Sequence, residues 1–306
     1  MTTPPFSEAL QTLLPAEDAP SSAYLDAFRR VADLLLRRTT WFMNGVPHRF
    51  TEVEFYWNGR QHGDTFTHGD PLQREFARWY HHRTAGEYRG GTYKGLDIAF
   101  GSKDVAAGIL IRGVARTDGD HALIDGPCMC VDHLLALTGA ASVRALAESF
   151  DGRVDEASGS PSYLVAEEAA REVPGVFESP RVGLTLKKGA TEARQRYLAM
   201  PYRFLSEPAR IKKGRLHLVV SLHRQGLRAA EIARLTGSAL SQVSKYAAQY
   251  DAGTSMDPRD FRRDLSSDEQ CRLFGACERF VGGARSAPEP KAEQMDLGPG
   301  APAGKR

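Results

Sequence analysis

The feature that most constrains the fold is the stretch TEVEFYWN at residues 51–58, in which apolar and polar side chains alternate from Glu52 to Trp57. Because successive side chains of a β-strand face opposite ways, this stretch would have one apolar face and one polar face. The apolar face carries Val53, Phe55 and Trp57, and the polar face carries Glu52, Glu54 and Tyr56. The pattern predicts a strand that packs one face on a core. Its polar face is either an ordinary wet surface or part of a cleft.

Other strand-like segments, including KGLDIAFG and AAGILIRGVA, are separated by turn dipeptides such as Asn58-Gly59, Gly90-Gly91 and Asp118-Gly119. Apolar residues at helical spacing precede them in SAYLDAFRRVADLLLRR and follow them in CVDHLLALTG and SVRALAESF. Because helices do not regularly separate the strands, the order favours an α+β fold over a parallel α/β sheet. We therefore expect a mostly antiparallel sheet with flanking helices.

Composition describes an ordinary globular protein of 306 residues, with 42% hydrophobic and 25% charged residues and a formal net charge of +2. No apolar run reaches the length of a membrane span, and the N-terminus lacks the plan of a signal peptide. We therefore expect a cytoplasmic protein without a membrane partner. Four cysteines are too few for a disulfide framework. CMCVDH offers three possible metal ligands, but their spacing is not that of a zinc site, and we expect no metal.

Changes in composition divide the chain into four expected segments. Prolines among small polar residues predict a disordered lead-in at residues 1–22, and a Pro/Gly-rich composition predicts a disordered tail at residues 283–306. Between them we expect a body at residues 23–207 and a basic helical region at residues 208–282.

Within that helical region, LRAAEIARLTGSALSQVSKYAAQY predicts two short helices joined at Gly237, a residue that tolerates positive φ. The pattern resembles the helix-turn-helix of transcription regulators and site-specific recombinases, which implies a small all-α domain. The resemblance implies that the second helix enters the major groove of double-stranded DNA and offers it Ser241, Gln242 and Lys245. The alternatives are a plain helical hairpin with a solvated basic face, or a helix-turn-helix that contacts protein.

Basic residues around this pattern predict a local positive field of the kind that attracts a phosphate backbone. Only Glu207 and Glu231 oppose it. The field is formed by Arg203, Arg210, Lys212, Lys213, Arg215, Arg224, Arg228 and Arg234.

The body carries a second set of signals in a defined order. A helix with a leucine pair (VADLLLRR) is followed by Glu54-Phe55-Tyr56, a histidine, and the Tyr/Gly-rich stretch EYRGGTYKGLDI. GILIRG, DGPCMCVDHLLALTG, SPRVGL and PYRF come next. In this order the segments from about Leu25 to Ser206 resemble the alkyladenine (3-methyladenine) DNA glycosylases. The resemblance implies a curved, mostly antiparallel sheet, and an enzyme that flips a modified base out of DNA and hydrolyses its glycosidic bond without a cofactor.

The resemblance also implies roles for individual residues. Glu54 matches the glutamate that deprotonates the attacking water, with Glu52 on the same face as the fallback. Tyr56 and His68 match the residues that sandwich the flipped base, and aromatic faces suit a cationic alkylated purine. Arg112 matches an arginine near the attacking water and the phosphate.

Three departures from the family pattern concern the base. His62 is a second histidine in the same segment and an alternative to His68. Asp97 stands where the family has an asparagine at the pocket floor, so we expect altered base selection, with a preference for donors or cationic bases. The family's intercalating tyrosine has no clean counterpart, and Tyr88 or Arg89 are the candidates, Tyr88 also as a base contact.

Two principal hypotheses result. The first is a monofunctional DNA glycosylase with an appended helix-turn-helix, acting on double-stranded DNA and associated with the nucleoid when bound. The second is a helix-turn-helix regulator whose glycosylase-like body is inactive and senses DNA or a nucleoside. A third, weaker hypothesis is a shared fold without DNA chemistry.

Overall fold

The protein is described by a computed structural model that covers residues 4–119, 121–156 and 159–281. Its largest element is a nine-stranded sheet in which neighbouring strands pair antiparallel. Across the sheet the strands follow one another in the order β10 (Phe177–Ser179), β11 (Arg203–Leu205), β2 (Val46–Asn58), β7 (Ala106–Arg116), β6 (Leu96–Phe100) and β3 (Phe76–His81). Strand β1 (Thr39–Met43) joins β2 to β9 (Ser162–Ala166), and β8 (Leu123–Asp125) pairs with β7. The expected α+β fold with a large antiparallel sheet is confirmed.

The strands are β1 (Thr39–Met43), β2 (Val46–Asn58), β3 (Phe76–His81), β4 (Arg83–Thr84), β5 (Glu87–Tyr88), β6 (Leu96–Phe100), β7 (Ala106–Arg116), β8 (Leu123–Asp125), β9 (Ser162–Ala166), β10 (Phe177–Ser179) and β11 (Arg203–Leu205). Strands β4 and β5 form a separate hairpin.

The helices are α1 (Phe6–Leu13), α2 (Ser21–Arg38), α3 (Pro127–Thr138), α4 (Val143–Glu148), α5 (Glu192–Ala199), α6 (Arg215–Arg224), α7 (Ala229–Thr236), α8 (Leu240–Gly253) and α9 (Ser267–Ala276). Within the described ranges, none of these helices combines the length and the apolar character that a membrane span requires.

Helix α2 covers the apolar face of β2, the face that the sequence pattern predicts to pack on a core. Val53 and Phe55 have no exposed surface and Trp57 has almost none. The ring of Phe28 on α2 stacks on Phe55 with centroids 4.7 Å apart. Burial of several large apolar side chains on one strand fixes its register, because a slip by one residue would turn them away from the core.

The segment expected to be a disordered lead-in contains a helix instead. Phe6 and Leu10 on α1 are buried and belong to the main hydrophobic cluster. They lie four positions apart, which places them on the same side of a helix, and prolines at positions 4 and 5 precede it. The segment expected to be a disordered tail, residues 283–306, lies outside the described residues.

The helices after residue 211 pack on the sheet or on one another. Phe177 on β10 and Leu205 on β11 share a hydrophobic cluster with residues of α6, α7 and α8. A second cluster joins Leu186 and Leu198 to Val220 on α6 and to residues of α8 and α9. We call these helices the C-terminal helices (α6–α9). Helices α6, α7 and α8 share a hydrophobic cluster with the sheet, and α9 packs with α6 and α8.

Candidate functional site

The polar face of β2 is a buried charge cluster and not a wet surface. Glu52 and Glu54 on this face are almost completely buried, and Arg112 on β7 and Arg203 on β11 meet them there. We call these four side chains the carboxylate cluster. Arg112 Nε lies 2.5 Å from Glu52 Oε1 and 3.3 Å from Glu54 Oε1, and Arg203 Nε lies 2.8 Å from Glu52 Oε1.

Irregular pairing between β2 and β7 gives Arg112 its position. Val53 pairs with Ile111 and Glu52 with Gly113, so Arg112 has no partner across the ladder. A bulge of this kind bends the strand and redirects a side chain. The guanidinium can therefore lie between two carboxylates that alternate along the neighbouring strand.

Three groups hold Glu54: two donate hydrogen bonds to it, and the third forms an ion pair with it. Its Oε1 receives the backbone N–H of Val182 at 2.7 Å, and its Oε2 receives the hydroxyl of Tyr56 at 2.9 Å. Arg112 is the third. Burial and the nearby Glu54 raise the pKa of Tyr56 well above its usual value, so the phenol stays protonated and keeps donating.

Glu52 is held by ion pairs with Arg112 and Arg203. Burial opposes its charge, but Arg203 and Arg112 lower the pKa of Glu52 below its usual value. Arg203 in turn donates to Ser179 Oγ and to the backbone carbonyls of Gly214 and Lys213, ahead of α6. Glu52, the fallback for the general base, is therefore committed to two guanidinium groups.

A small cavity of about 90 Å³ lies beside Tyr56. We call it the aromatic pocket. It is lined by Tyr56, Phe66, His68, Gln73, His82, Asp97 and Leu184. The structure thus brings together three of the four residues predicted to bind the base, namely Tyr56, His68 and Asp97, and places them next to the carboxylate cluster through the Tyr56–Glu54 hydrogen bond.

A buried ion pair supports the wall of this pocket. Arg181 and Asp64 have no exposed surface, and Arg181 Nη1 lies 2.5 Å from Asp64 Oδ2. The guanidinium carbon of Arg181 stands 4.4 Å from the centroid of the Tyr56 ring. Although burial opposes its charge, Asp64 raises the pKa of Arg181, so the ring of Tyr56 rests on a permanent cation.

Asp97 forms the polar floor of the aromatic pocket. Its Oδ2 accepts from Gln73 Nε2 at 3.2 Å, and its Oδ1 lies 2.7 Å from His82 Nε2. Only 2% of Asp97 is exposed. Each oxygen of Asp97 thus has one hydrogen-bond partner within the protein, and the expected preference for donors or cationic bases stays a prediction.

The two candidate histidines lie in different places. His68 is exposed at the mouth of the pocket, its Nδ1 is 3.3 Å from the hydroxyl of Tyr80, and desolvation and the nearby His82 lower its pKa. His62 is fully buried away from the pocket, stacked on Tyr24 with centroids 4.6 Å apart. Of the two, His68 is the one that can touch a pocket ligand.

Tyr88 and Arg89 lie on or next to the β4–β5 hairpin and line a different cavity from the aromatic pocket, although the backbone N–H of Arg89 donates to the carbonyl of His82. Tyr88 is half-buried, with the guanidinium of Arg144 5.6 Å from its centroid. Arg89 donates to Thr84 Oγ1 at 2.9 Å. Tyr93, which the sequence did not single out, is 77% exposed next to them. Tyr88 is therefore separate from the other residues predicted to bind the base.

The predicted DNA-contacting residues lie on the exposed side of α8. Ser241, Gln242 and Lys245 are all exposed, and Gly237, between α7 and α8, has a φ of 64°. Gln242 donates to the hydroxyl of Tyr246 at 3.0 Å, and Lys245 pairs with Asp268 of α9 at 2.9 Å. Of the predicted contacts, Lys245 thus has a neighbouring carboxylate that the sequence did not indicate.

The basic field is weaker than its composition suggests. Arg203 is buried in the carboxylate cluster, and Arg210 pairs with Glu207. Arg228 pairs with Glu231, and Arg215 and Arg224 donate to backbone carbonyls. Intramolecular partners therefore occupy much of the positive charge counted in the sequence.

Metal ligands are not grouped in the described part of the chain: no set of three His, Cys, Asp or Glu side chains is arranged to hold an ion. In the CMCVDH stretch, Cys130 is buried, Cys128 Sγ contacts Asp132, and His133 Nε2 lies 2.9 Å from His48 Nε2.

Several pocket residues escaped sequence reasoning. Gln73 and His82 complete the floor, and Phe66 and Leu184 complete the walls. His82 follows β3 in WYHHRTAG, where two adjacent histidines were the available signal. Gln73 comes from a single 3-10 turn, Pro71–Arg74, whose sequence carries no motif.

Comparison with known proteins adds a viral relative. No protein-family model matches the chain. An uncharacterized protein of Acanthamoeba polyphaga mimivirus is 29% identical over 213 residues, which cover 61% of this chain and 89% of the viral protein. The chain is thus similar to a viral protein whose description assigns no activity.

Proposed function

We propose that this protein is a DNA glycosylase that flips a modified base out of double-stranded DNA and hydrolyses its N-glycosidic bond. The observation that carries the proposal is Glu54. It is a buried carboxylate, held by the Tyr56 hydroxyl, the Val182 amide and Arg112, beside a pocket walled by aromatic rings. The large antiparallel sheet is compatible with the finer proposal, a glycosylase-like fold.

In this proposal each residue has a defined task. Tyr56 and His68 contact the faces of the flipped base. Glu54 takes a proton from the attacking water, and its negative charge faces the positive charge that develops on the sugar. Arg112, whose pKa Glu54 and Glu52 raise despite burial, supplies a fixed positive charge near the attacking water. None of these steps requires a metal or an organic cofactor.

The proposed partner is duplex DNA, contacted at two places. Helices α7 and α8 would act as a helix-turn-helix, with Ser241, Gln242 and Lys245 exposed towards the groove. Tyr93 is the proposed filler of the gap left by the flipped base, because it is 77% exposed while Tyr88 is half-buried. Such an enzyme would act in the cytoplasm, at the nucleoid.

One observation favours the alternative, a DNA-binding regulator with an inactive body. Glu54 has no exposed surface and is not among the residues that line the pocket, and its hydrogen bond with Tyr56 connects it to them. A water that attacks the sugar must reach this carboxylate, so catalysis requires the pocket to open slightly around Tyr56.

The experiment is incubation of the full chain with duplexes that each carry one modified base, followed by alkali to reveal abasic sites. We expect Glu54→Gln to bind DNA normally and to release base at least about a hundredfold more slowly, the usual cost of a lost general base. Asp104→Asn, at an exposed position, is the matched control. In the same assay, Tyr93→Ala should slow release from duplex more than from single-stranded DNA.

Release at the wild-type rate by Glu54→Gln contradicts the assigned base. Binding without release from every duplex contradicts the enzyme and favours the regulator.

A further inference from the structure

The floor of the aromatic pocket has a hydrogen-bond polarity that the surrounding structure fixes. Gln73 Oε1 accepts the backbone N–H of Gly69 at 2.9 Å, and an amide N–H can only donate. The oxygen of Gln73 therefore faces Gly69, and its nitrogen faces Asp97. The hydrogen bond from Gly69 therefore determines which end of the Gln73 amide is the oxygen.

The carboxylate of Asp97 also determines which nitrogen of His82 carries a proton. Asp97 Oδ2 accepts from Gln73, and Asp97 Oδ1 lies 2.7 Å from His82 Nε2. An ionised carboxylate only accepts, so His82 carries a proton on Nε2 and donates it to Asp97. Two donors thus orient the carboxylate from opposite sides.

Among the described residues, this floor keeps unused hydrogen-bonding capacity. A carboxylate offers about four acceptor sites, of which these two contacts fill two, and the amide nitrogen of Gln73 has a second hydrogen. The floor therefore presents surplus acceptors on Asp97 beside one donor on Gln73. A pocket ligand pairs with both residues when it places a donor against Asp97 and an adjacent acceptor against Gln73.

Two glycines make this arrangement possible. A Cβ at Gly108 would lie 2.5 Å from Asp97 Oδ2 and 3.0 Å from Gln73 Nε2, and a Cβ at Gly95 would collide with the His82 ring. A glycine inside a strand often marks such a close approach. Gly108 lies in β7, so the sheet itself leaves room for the Gln73–Asp97 contact.

We propose that Gln73, Asp97 and His82 select modified bases that keep an exocyclic amine beside a ring nitrogen, and reject bases with a carbonyl in place of the amine. The amine donates to Asp97, and the ring nitrogen accepts from Gln73. Adenine- and cytosine-type edges have this pattern. Hypoxanthine and uracil carry the reverse order, a carbonyl oxygen beside a ring N–H, so in the same orientation the carbonyl oxygen would face the carboxylate of Asp97. The inference rests on the proposed function, because it names the substrate class of that pocket.

The test uses free bases, so that it does not depend on catalysis. Binding of adenine, hypoxanthine, cytosine and uracil to the full chain is measured by calorimetry or by ligand-observed NMR. Adenine and cytosine should bind at least about tenfold more tightly than their carbonyl counterparts, because a polar site discriminates strongly against a ligand that leaves it unpaired. Equal binding of adenine and hypoxanthine overturns the proposal, as does failure of adenine and cytosine to bind at millimolar concentration.

Variants separate selection from simple loss of structure. Asp97→Asn should bring the preference for adenine over hypoxanthine to within about threefold, because an amide donates as well as accepts. Asp97→Asn combined with Gln73→Glu moves the carboxylate to position 73, restores a donor–acceptor contact between the two residues, and should recover much of the preference for an amine. Asp104→Asn is again the control.

If Asp97→Asn keeps the wild-type preference while it folds normally, these residues do not select the base. Failure of the proposed function has a different signature: amine-bearing bases bind selectively, yet no duplex loses its base.

Discussion

In the carboxylate cluster and its neighbour, the Arg181–Asp64 pair, guanidinium and carboxylate groups face one another with almost no exposed surface. On the C-terminal helices the ion pairs stand in water: in the Arg228–Glu231 pair the side chains are 83% and 41% exposed. Removing one partner leaves a charge stranded in the first setting and a hydrated charge in the second. Similar residue types thus fix a geometry in one region and can exchange partners in the other.

Removing the C-terminal helices from the sheet should produce the largest effect. A chain that ends after Ser206 lacks the helices that bury Phe177 and Leu205, and it lacks the two backbone carbonyls that receive Arg203. We expect this truncated chain to lose cooperative unfolding, as measured by circular dichroism during heating. A chain that ends after Val281 is the control and should unfold cooperatively. Cooperative unfolding of the shorter chain at the same temperature would show that the sheet is independent of the helices.

Within the folded chain, the buried pair should matter far more than a surface pair. We expect Arg181→Met to lower the free energy of unfolding by about 3–5 kcal/mol, because Asp64 is left buried without its partner. Lys187→Met is the matched control: Lys187 pairs with Asp264 at the surface, and such a pair contributes about 0–1 kcal/mol. Urea unfolding of both variants gives the two values. Equal losses would remove the distinction between the regions.

Local sequence pattern made some parts of the site predictable. Alternation in TEVEFYWN fixed the two faces of β2, because periodicity is a local property of a strand. It placed Val53 and Phe55 in the core and grouped Glu52, Glu54 and Tyr56 on one side. Helix α2 was equally predictable, since its apolar residues recur at helical spacing.

The partners of those residues were not predictable from local pattern. Arg203 and Arg181 lie far along the chain from Glu52 and Asp64, and only the pairing of β11 with β2 and the path of the chain after β10 bring them together. Counting charges along the sequence assigned Arg203 to a DNA-binding field, because a count cannot distinguish a buried guanidinium from an exposed one. Asp268 was missed opposite Lys245 for the same reason.

A smaller effect concerns the pH dependence of stability and a buried histidine on α6. His217 on α6 is buried 5.1 Å from the ring of Phe274, and burial lowers its pKa to about 3. Below about pH 6.5 the unfolded chain binds a proton at this residue while the folded chain does not. This contribution to stability is therefore present above pH 6.5 and is lost as the pH falls towards 3. His217→Phe should make stability less pH-dependent between pH 6 and 4, by about 1.4 kcal/mol per pH unit.

The control is His121→Asn, which changes an exposed histidine and should leave the slope unaltered. Unfolding in urea at several pH values measures both. If His217→Phe leaves the dependence of unfolding free energy on pH unchanged, His217 becomes protonated in the folded protein and water reaches its side chain.

The smallest effect tests whether the exposed pairs of α8 exchange partners with DNA. Lys245 lies 2.9 Å from Asp268, so the carboxylate competes with any phosphate for this ammonium group. Asp268→Asn should raise affinity for a long duplex a few-fold. It should also make the slope of log affinity against log salt more negative by up to about 0.9, the value for one additional phosphate contact. Asp251→Asn is the matched control, because Asp251 is also on α8 but pairs with His223 on α6. If Asp268→Asn and Asp251→Asn change affinity equally, the effect is one of net charge, and Lys245 does not contact DNA.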